Sequence, residues 1–262
     1  MNLFLTLRAL KYYLFSRHKN GHGIHSPHIF NLFSDISANK PDPGVVKSIN
    51  IARHHYLNSN ISIEVNDYGA GSLKIDGKQR RLSDIVRYSS TRGKYINLLS
   101  NLASRSNGKP IIELGTSLGI GTIAMAMAAP ESKIATIEGC ENIAKQAVEG
   151  FKRMNVTNIE SIVGEIDNVL EPILRANKAP GLVFIDANHK EEALIRYFDM
   201  VTNYIDNETV IVIDDIHLSS SMERGWRRVV KSERVSVTVD LFQMGIVFFR
   251  GELTRENFVI RY

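Results

Sequence analysis

Cysteine is almost absent from this chain. Cys140 is the single one in 262 residues, so neither an intrachain disulfide nor a cysteine-built metal cluster can form. That scarcity accords with a reducing compartment and sets cytoplasmic localisation as the expectation. Long apolar runs are missing too, and nothing approaches the roughly 20 apolar residues of a membrane span. The start, Met1 to Phe15, is apolar but broken by Arg8 and Lys11. It lacks the basic opening, unbroken apolar core and small-residue cleavage site of an export signal. No internal repeat is present, and neither sign of charge dominates. The formal net charge of +4 permits an anionic ligand without demanding one. The densest basic run, Arg224, Arg227, Arg228, Lys231 and Arg234, reads as the solvated face of a helix, so nucleic acid is not the expected partner.

What is present is an ordinary globular composition, 44% apolar and 23% charged, patterned in two regions. Residues 1–90 read as an N-terminal arm or cap. It opens with Leu3, Leu7, Leu10 and Leu14 on one helical stripe, which must bury itself on the body or on a second subunit. A histidine-rich loop follows, with His18, His22, His25 and His28, and Gly21 and Gly23 suit it to close as a lid. Lys40 to Gly44 reads as a turn or boundary, and Asp67 to Ser72 is a further loop.

Residues 91–262 alternate strand and helix patterns. Ile111–Leu114, Ile134–Ile137, Ile159–Val163, Leu182–Ile185 and Val210–Ile213 read as buried parallel strands. Helical stripes lie between them, including Ile143, Ala144, Ala147, Val148 and Phe151. Such alternation predicts a parallel sheet with right-handed crossovers. The last two strand-like runs, Val235–Phe242 and Ile246–Arg250, are too close for a parallel crossover and must form an antiparallel hairpin. The expected architecture is a Rossmann-like α/β fold, a mainly parallel seven-stranded sheet with an antiparallel C-terminal hairpin and an N-terminal cap.

The first strand runs into Glu113-Leu114-Gly115-Thr116-Ser117-Leu118-Gly119-Ile120-Gly121-Thr122. The glycines allow a tight turn and close approach to a ligand. The spacing is not the G-x-G-x-x-G that sets a helix N-terminus against pyrophosphate, which disfavours a nicotinamide dinucleotide. An acid inside the strand suits a cationic ligand such as S-adenosylmethionine (SAM), with its amino group and sulfonium. Glu138 ends the second strand, about 20 residues past the loop, where folds of this kind bind ribose hydroxyls. Gly164 and Glu165 end the third strand, and Asp186 the fourth.

Together, Ile111 to Gly119, Glu138, Gly164 and Phe184-Ile185-Asp186-Ala187-Asn188-His189 resemble the class I SAM-dependent methyltransferases, nearest the catechol and caffeoyl-CoA O-methyltransferase branch and its uncharacterised bacterial relatives. The resemblance covers about residues 85–250. It implies that Glu113, Gly115, Thr116, Ser117 and Gly119 hold the methionine end, Glu138 the ribose, Gly164 and Glu165 the adenine, with Asp186 beside the cofactor. The implied activity is O-methylation of a small-molecule acceptor. A nucleic-acid methyltransferase and a non-catalytic SAM-binding protein are the alternatives.

The fifth strand ends in Asp214 and Asp215. Converging with Asp186, they would repel one another unless a cation or protons compensate, and Mg²⁺ or Ca²⁺ is the expected partner of such oxygen ligands. The resembled enzymes use Asp, Asp and Asn at this place; Asp215 departs from that set. His189, after Asp186, is the expected general base, with His217 and Lys190 as alternatives. A homodimer is a further expectation.

Overall fold

The computed structural model describes residues 3–16, 24–38, 42–66, 78–88, 91 and 93–262. The chain begins with helices α1 (Leu3–Phe15), α2 (Pro27–Ala38) and α3 (Pro43–Leu57). Strands β1 (Ser62–Glu64) and β2 (Gln79–Arg81) and helices α4 (Leu82–Tyr88) and α5 (Lys94–Ala103) come next. Strand–helix alternation then gives β3 (Ile111–Leu114), α6 (Ile120–Ala128), β4 (Ile134–Glu138), α7 (Glu141–Arg153), β5 (Ile159–Val163) and α8 (Ile166–Ala176). It continues through β6 (Leu182–Ile185), α9 (Glu191–Val201), β7 (Val210–Ile213) and α10 (Ser220–Lys231). The chain closes with β8 (Val237–Asp240), β9 (Gly245–Phe248) and β10 (Glu256–Val259).

The main sheet has the order β10-β8-β9-β7-β6-β3-β4-β5. Strands β3, β4 and β5 pair in parallel, and β9 runs antiparallel to both β7 and β8. This is the expected parallel series with a terminal hairpin. The sheet carries an eighth strand, β10, which pairs parallel to β8 with Phe258 opposite Val239.

Two compact units divide the chain. One comprises residues 41–183, the other residues 1–40 with 184–262. The region read from the sequence as one arm, residues 1–90, thus contributes to both.

In the unit of residues 41–183, Asp42 and Pro43, from the stretch read as a turn or boundary, start a helix. The Asp42 carboxylate accepts from the backbone N–H groups of Gly44 (2.7 Å) and Val45 (3.0 Å), and Pro43 fills the first helical position. Helices α3 and α4 bury Ile49, Tyr56, Leu82 and Val86 in one cluster with Leu118, Ile120 and Phe151. The appended segment therefore supports the glycine loop and the start of α6 from beneath. The Tyr56 hydroxyl donates to the Gln146 carbonyl at 2.8 Å. Gly150 makes room for it, since a Cβ there would lie 2.4 Å from the Tyr56 oxygen.

In the other unit, α1 docks on loops that follow β7 and β8 and on the chain beyond β10. Arg8 Nε lies 2.7 Å from Glu223 on α10. The Tyr12 hydroxyl donates to the Ile260 carbonyl, and its ring packs against Phe242. Arg261 donates to the Tyr13 carbonyl and stacks its guanidinium over the Tyr13 ring. Strands β7, β8 and β10 run in one direction, so α1 lies over their carboxyl ends, where a cap was expected. The contacts differ from the expectation. Leu7, Leu10 and Leu14 are exposed, and the helix docks through Arg8 and Tyr12 instead. The stripe was read as the buried face because apolar periodicity marks a face without saying what polar chemistry anchors the opposite one. His18, His22, Gly21, Gly23 and Asp67 to Ser72 lie outside the described residues. His25 is exposed, and His28 packs edge-on against Phe248.

Candidate functional site

In the unit of residues 41–183, β3, β4 and β5 each end in residues expected to hold a cofactor. All four side chains of β3 are buried, Glu113 among them, because the strand is covered on both faces. A buried carboxyl needs donors. The Thr122 hydroxyl, from the first turn of α6, donates to Glu113 Oε2, and so does the Thr136 hydroxyl from the neighbouring strand. Thr116 is bonded in turn to Thr136, at 2.6 Å. Burial raises the Glu113 pKa from 4.5 to about 7, against the lowering effect of the two threonines.

After Glu113 the backbone turns through left-handed conformations at Gly115, Ser117 and Gly119. At Gly119 φ is +73° and a Cβ would lie 2.4 Å from the Phe151 ring. Both facts demand glycine. We expect Gly119→Ala to lower stability by about 2 kcal/mol, combining left-handed strain with overpacking. Urea denaturation measures it, and an unchanged midpoint would contradict the geometry.

The turn aims its amides at Glu138. The Ser117 N–H donates to Glu138 Oε2 at 2.9 Å and the Cys140 N–H to Oε1 at 3.0 Å. The carboxylate is thus fixed by the two loops that leave β3 and β4. A carboxylate offers about four acceptor positions, so these two bonds are compatible with hydroxyl donors as well. Gly164 donates its N–H to the Glu138 carbonyl, and Glu165 stands at the start of α8, where Asn168 donates to its carboxylate. Sequence reading found Glu113 and Glu138 but missed the supporting Thr122, Thr136 and Cys140 N–H, which no motif marks.

In the other unit, the ends of β6 and β7 carry Asp186, His189, Asp214 and Asp215. His189 Nε2 lies 3.8 Å from Asp186 Oδ1, an ion-pair separation rather than a hydrogen bond. Burial lowers the His189 pKa below 6.5, partly opposed by the Asp215 carboxylate, so the ring is neutral at pH 7. Asp214 is turned into the protein. Its Oδ1 accepts the Asp215 N–H at 2.9 Å, and the Gln243 side chain also bonds it. Burial and the adjacent Asp215 charge raise its pKa well above 3.8. Asp215 itself has a left-handed backbone, φ +55°.

Among the described residues no group of three or more His, Cys, Asp and Glu side chains is placed to hold a metal ion. Asp214 directs its carboxyl toward the Asp215 N–H and the Gln243 side chain. Hydrogen bonds and a raised Asp214 pKa moderate the negative charge at this place.

The two alternatives to His189 are placed differently. His217 is buried, with Nε2 2.8 Å from Asp240 Oδ2 and Nδ1 3.5 Å from Arg8, so both ring nitrogens are engaged in holding α1 and β8 together. Lys190 is exposed. Asn188, given no role from the sequence, adopts φ +55° and has a buried Oδ1 without a hydrogen-bond partner in this structure. The basic run on α10 is largely paired within its own unit. Arg224 and Arg228 meet Glu191, Arg227 meets Glu223, and Arg234 bonds Thr202 and Asn203. That pairing disfavours a phosphate-binding stripe.

Residues 112–216 match a family described as a methyltransferase domain. The catechol O-methyltransferase of Niastella koreensis is 28% identical over 134 residues, 50% of this chain and 58% of that protein. A tRNA (guanine-N(7)-)-methyltransferase of Mycoplasma mobile is 28% identical over 107 residues, 38% of this chain and 53% of that protein. The chain thus spans little more than half the length of these curated relatives. The O-methyltransferase TomG of tomaymycin synthesis from Streptomyces achromogenes, solved in complex with SAM, superposes with a TM-score of 0.56 at 18% identity, covering 84% of this chain and 95% of that one. At that identity the likeness concerns the fold. With its acid-glycine loop, its carboxylates at the strand ends and the match of residues 112–216 to a methyltransferase domain, the chain resembles the class I, SAM-dependent O-methyltransferases.

Proposed function

We propose that this protein transfers the methyl group of SAM to an oxygen of a small-molecule acceptor. The observation that carries the reading is Glu138, whose carboxylate is held by the Ser117 and Cys140 N–H groups at the place where a ribose hydroxyl pair is bound in such folds. Glu113 and the Gly115–Gly119 turn hold the methionine end, and Glu165 borders the adenine. When bound, SAM supplies a methyl group already activated by its sulfonium. The protein's part is to position the acceptor and to take or polarise one proton. Neutral His189, oriented by Asp186, takes that proton.

A nucleic-acid acceptor is disfavoured by the internal pairing of the α10 arginines. The described residues contain no helix long and apolar enough to cross a membrane. A cytoplasmic location accords with the lone, buried Cys140.

Calorimetry tests the cofactor. S-adenosylhomocysteine should bind, and Glu138→Ala should weaken binding by about 1–3 kcal/mol, the value of a lost hydrogen bond to a charged group. Tight binding of NAD with none of SAM or S-adenosylhomocysteine would overturn the assignment. Release of S-adenosylhomocysteine with hydroxylated small molecules, and not with RNA, is the expected turnover.

A further inference from the structure

Helix α1 has two faces, and only one is used within its own unit. Arg8 and Tyr12 anchor it to Glu223, Phe242 and Ile260. At about 100° per residue, Leu7, Leu10 and Leu14 fall in an arc of roughly 60° on the other side. They are 57%, 55% and 65% exposed, and Tyr13 on their flank is 61% exposed. A helix that is tied down by a buried ion pair while presenting leucines to water is arranged to bury them against something else.

We propose that this face pairs with the same face of a second copy of the chain. Three observations favour that occupant. The leucines at 3, 7, 10 and 14 follow a 4-3-4 spacing, the narrow seam of a helix pair, rather than the broader apolar face by which a helix docks on a globular body. Helix α1 contains no acidic residue, and its only basic residues are Arg8, which is spent on Glu223, and Lys11 on the flank of the seam. A helix lying on a lipid surface presents a polar face rich in Lys and Arg to the headgroups; here that face is docked. Finally, these four exposed side chains offer about 100 Å² each, so a two-fold pair covers roughly 800 Å², the size of a weak contact that dissociates on dilution. Self-pairing of one patch about a two-fold axis needs no other complementary surface. Because Arg8 also reaches His217, just beyond Asp214 and Asp215, the pair would brace the loop after β7.

Sedimentation equilibrium of the full chain tests this. Wild type should be a dimer that dissociates on dilution. Leu10→Glu should weaken association at least about thirtyfold, as expected for a central hot-spot residue, and Leu10→Met should retain it. Leu14→Glu, on the same seam and more exposed, serves if Leu10→Glu misfolds by circular dichroism. A wild type that stays monomeric, or a dimer indifferent to both glutamate variants, overturns the proposal. So does a monomer that floats with anionic phosphatidylserine vesicles and loses this in the same variants, which would assign the face to lipid.

Discussion

Raising the pH from about 5 to 8 should cost the ligand-free protein about 3 kcal/mol of stability through Glu113 alone. The carboxyl is fully buried at the end of β3, and its pKa is raised from 4.5 to about 7. Between those values the unfolded chain has released this proton while the folded protein still holds it. The native state binds more protons, so stability is greatest below pH 4.5, falls as pH rises, and levels off above 7. The slope cannot exceed about 1.4 kcal/mol per pH unit for one group. Thr122 and Thr136 keep the loss from being larger, since both donate to the carboxylate. Urea denaturation across this range should show the decline in wild type and a flatter profile in Glu113→Gln, which has no proton to lose. Parallel profiles would show that Glu113 titrates normally. Saturating S-adenosylhomocysteine should also flatten the wild-type profile, because its cationic amino group favours the ionised carboxyl.

How much of this was legible beforehand depends on the range of the interactions concerned. The limits of β3, β6 and β7 match the apolar runs, because strands buried on both faces read as unbroken hydrophobic stretches. The hairpin followed from loop length alone. Strand β10 went unread because Glu256-Asn257-Phe258-Val259 is short and half polar, and only its pairing with β8 makes it a strand. At the site, Glu113 and Glu138 were visible as acids at strand ends. The inward turn of Asp214 was not, since it depends on Gln243, which arrives from the loop between β8 and β9. The leucine stripe on α1 was visible, but not the anchoring of its opposite face, because Glu223 and Ile260, which hold that face, lie more than 200 positions away.

His189→Ala should reduce methyl transfer by about 10²–10⁴-fold, the usual contribution of a positioned general base. Three features support that role. Burial keeps the imidazole neutral at pH 7, so it can accept a proton without first losing one. Asp186 lies beside Nε2, which favours the tautomer protonated there and leaves Nδ1 as the acceptor. The competing histidine, His217, is committed to Asp240 and Arg8. Asp186→Asn should cost less, because it removes the orienting charge and leaves the base. His189→Ala should bind S-adenosylhomocysteine as wild type does, which separates a lost base from a lost cofactor site. The 3.8 Å separation between His189 and Asp186 should close once an acceptor is bound, as catalytic contacts commonly tighten in the working complex. Adding EDTA should leave the wild-type rate unchanged. Activity abolished by EDTA and restored by Mg²⁺ would mean that Asp186, Asp214 and Asp215 rearrange into a cation site on binding. Full activity in His189→Ala would remove the histidine from the chemistry, leaving positioning of donor and acceptor as the protein's main contribution.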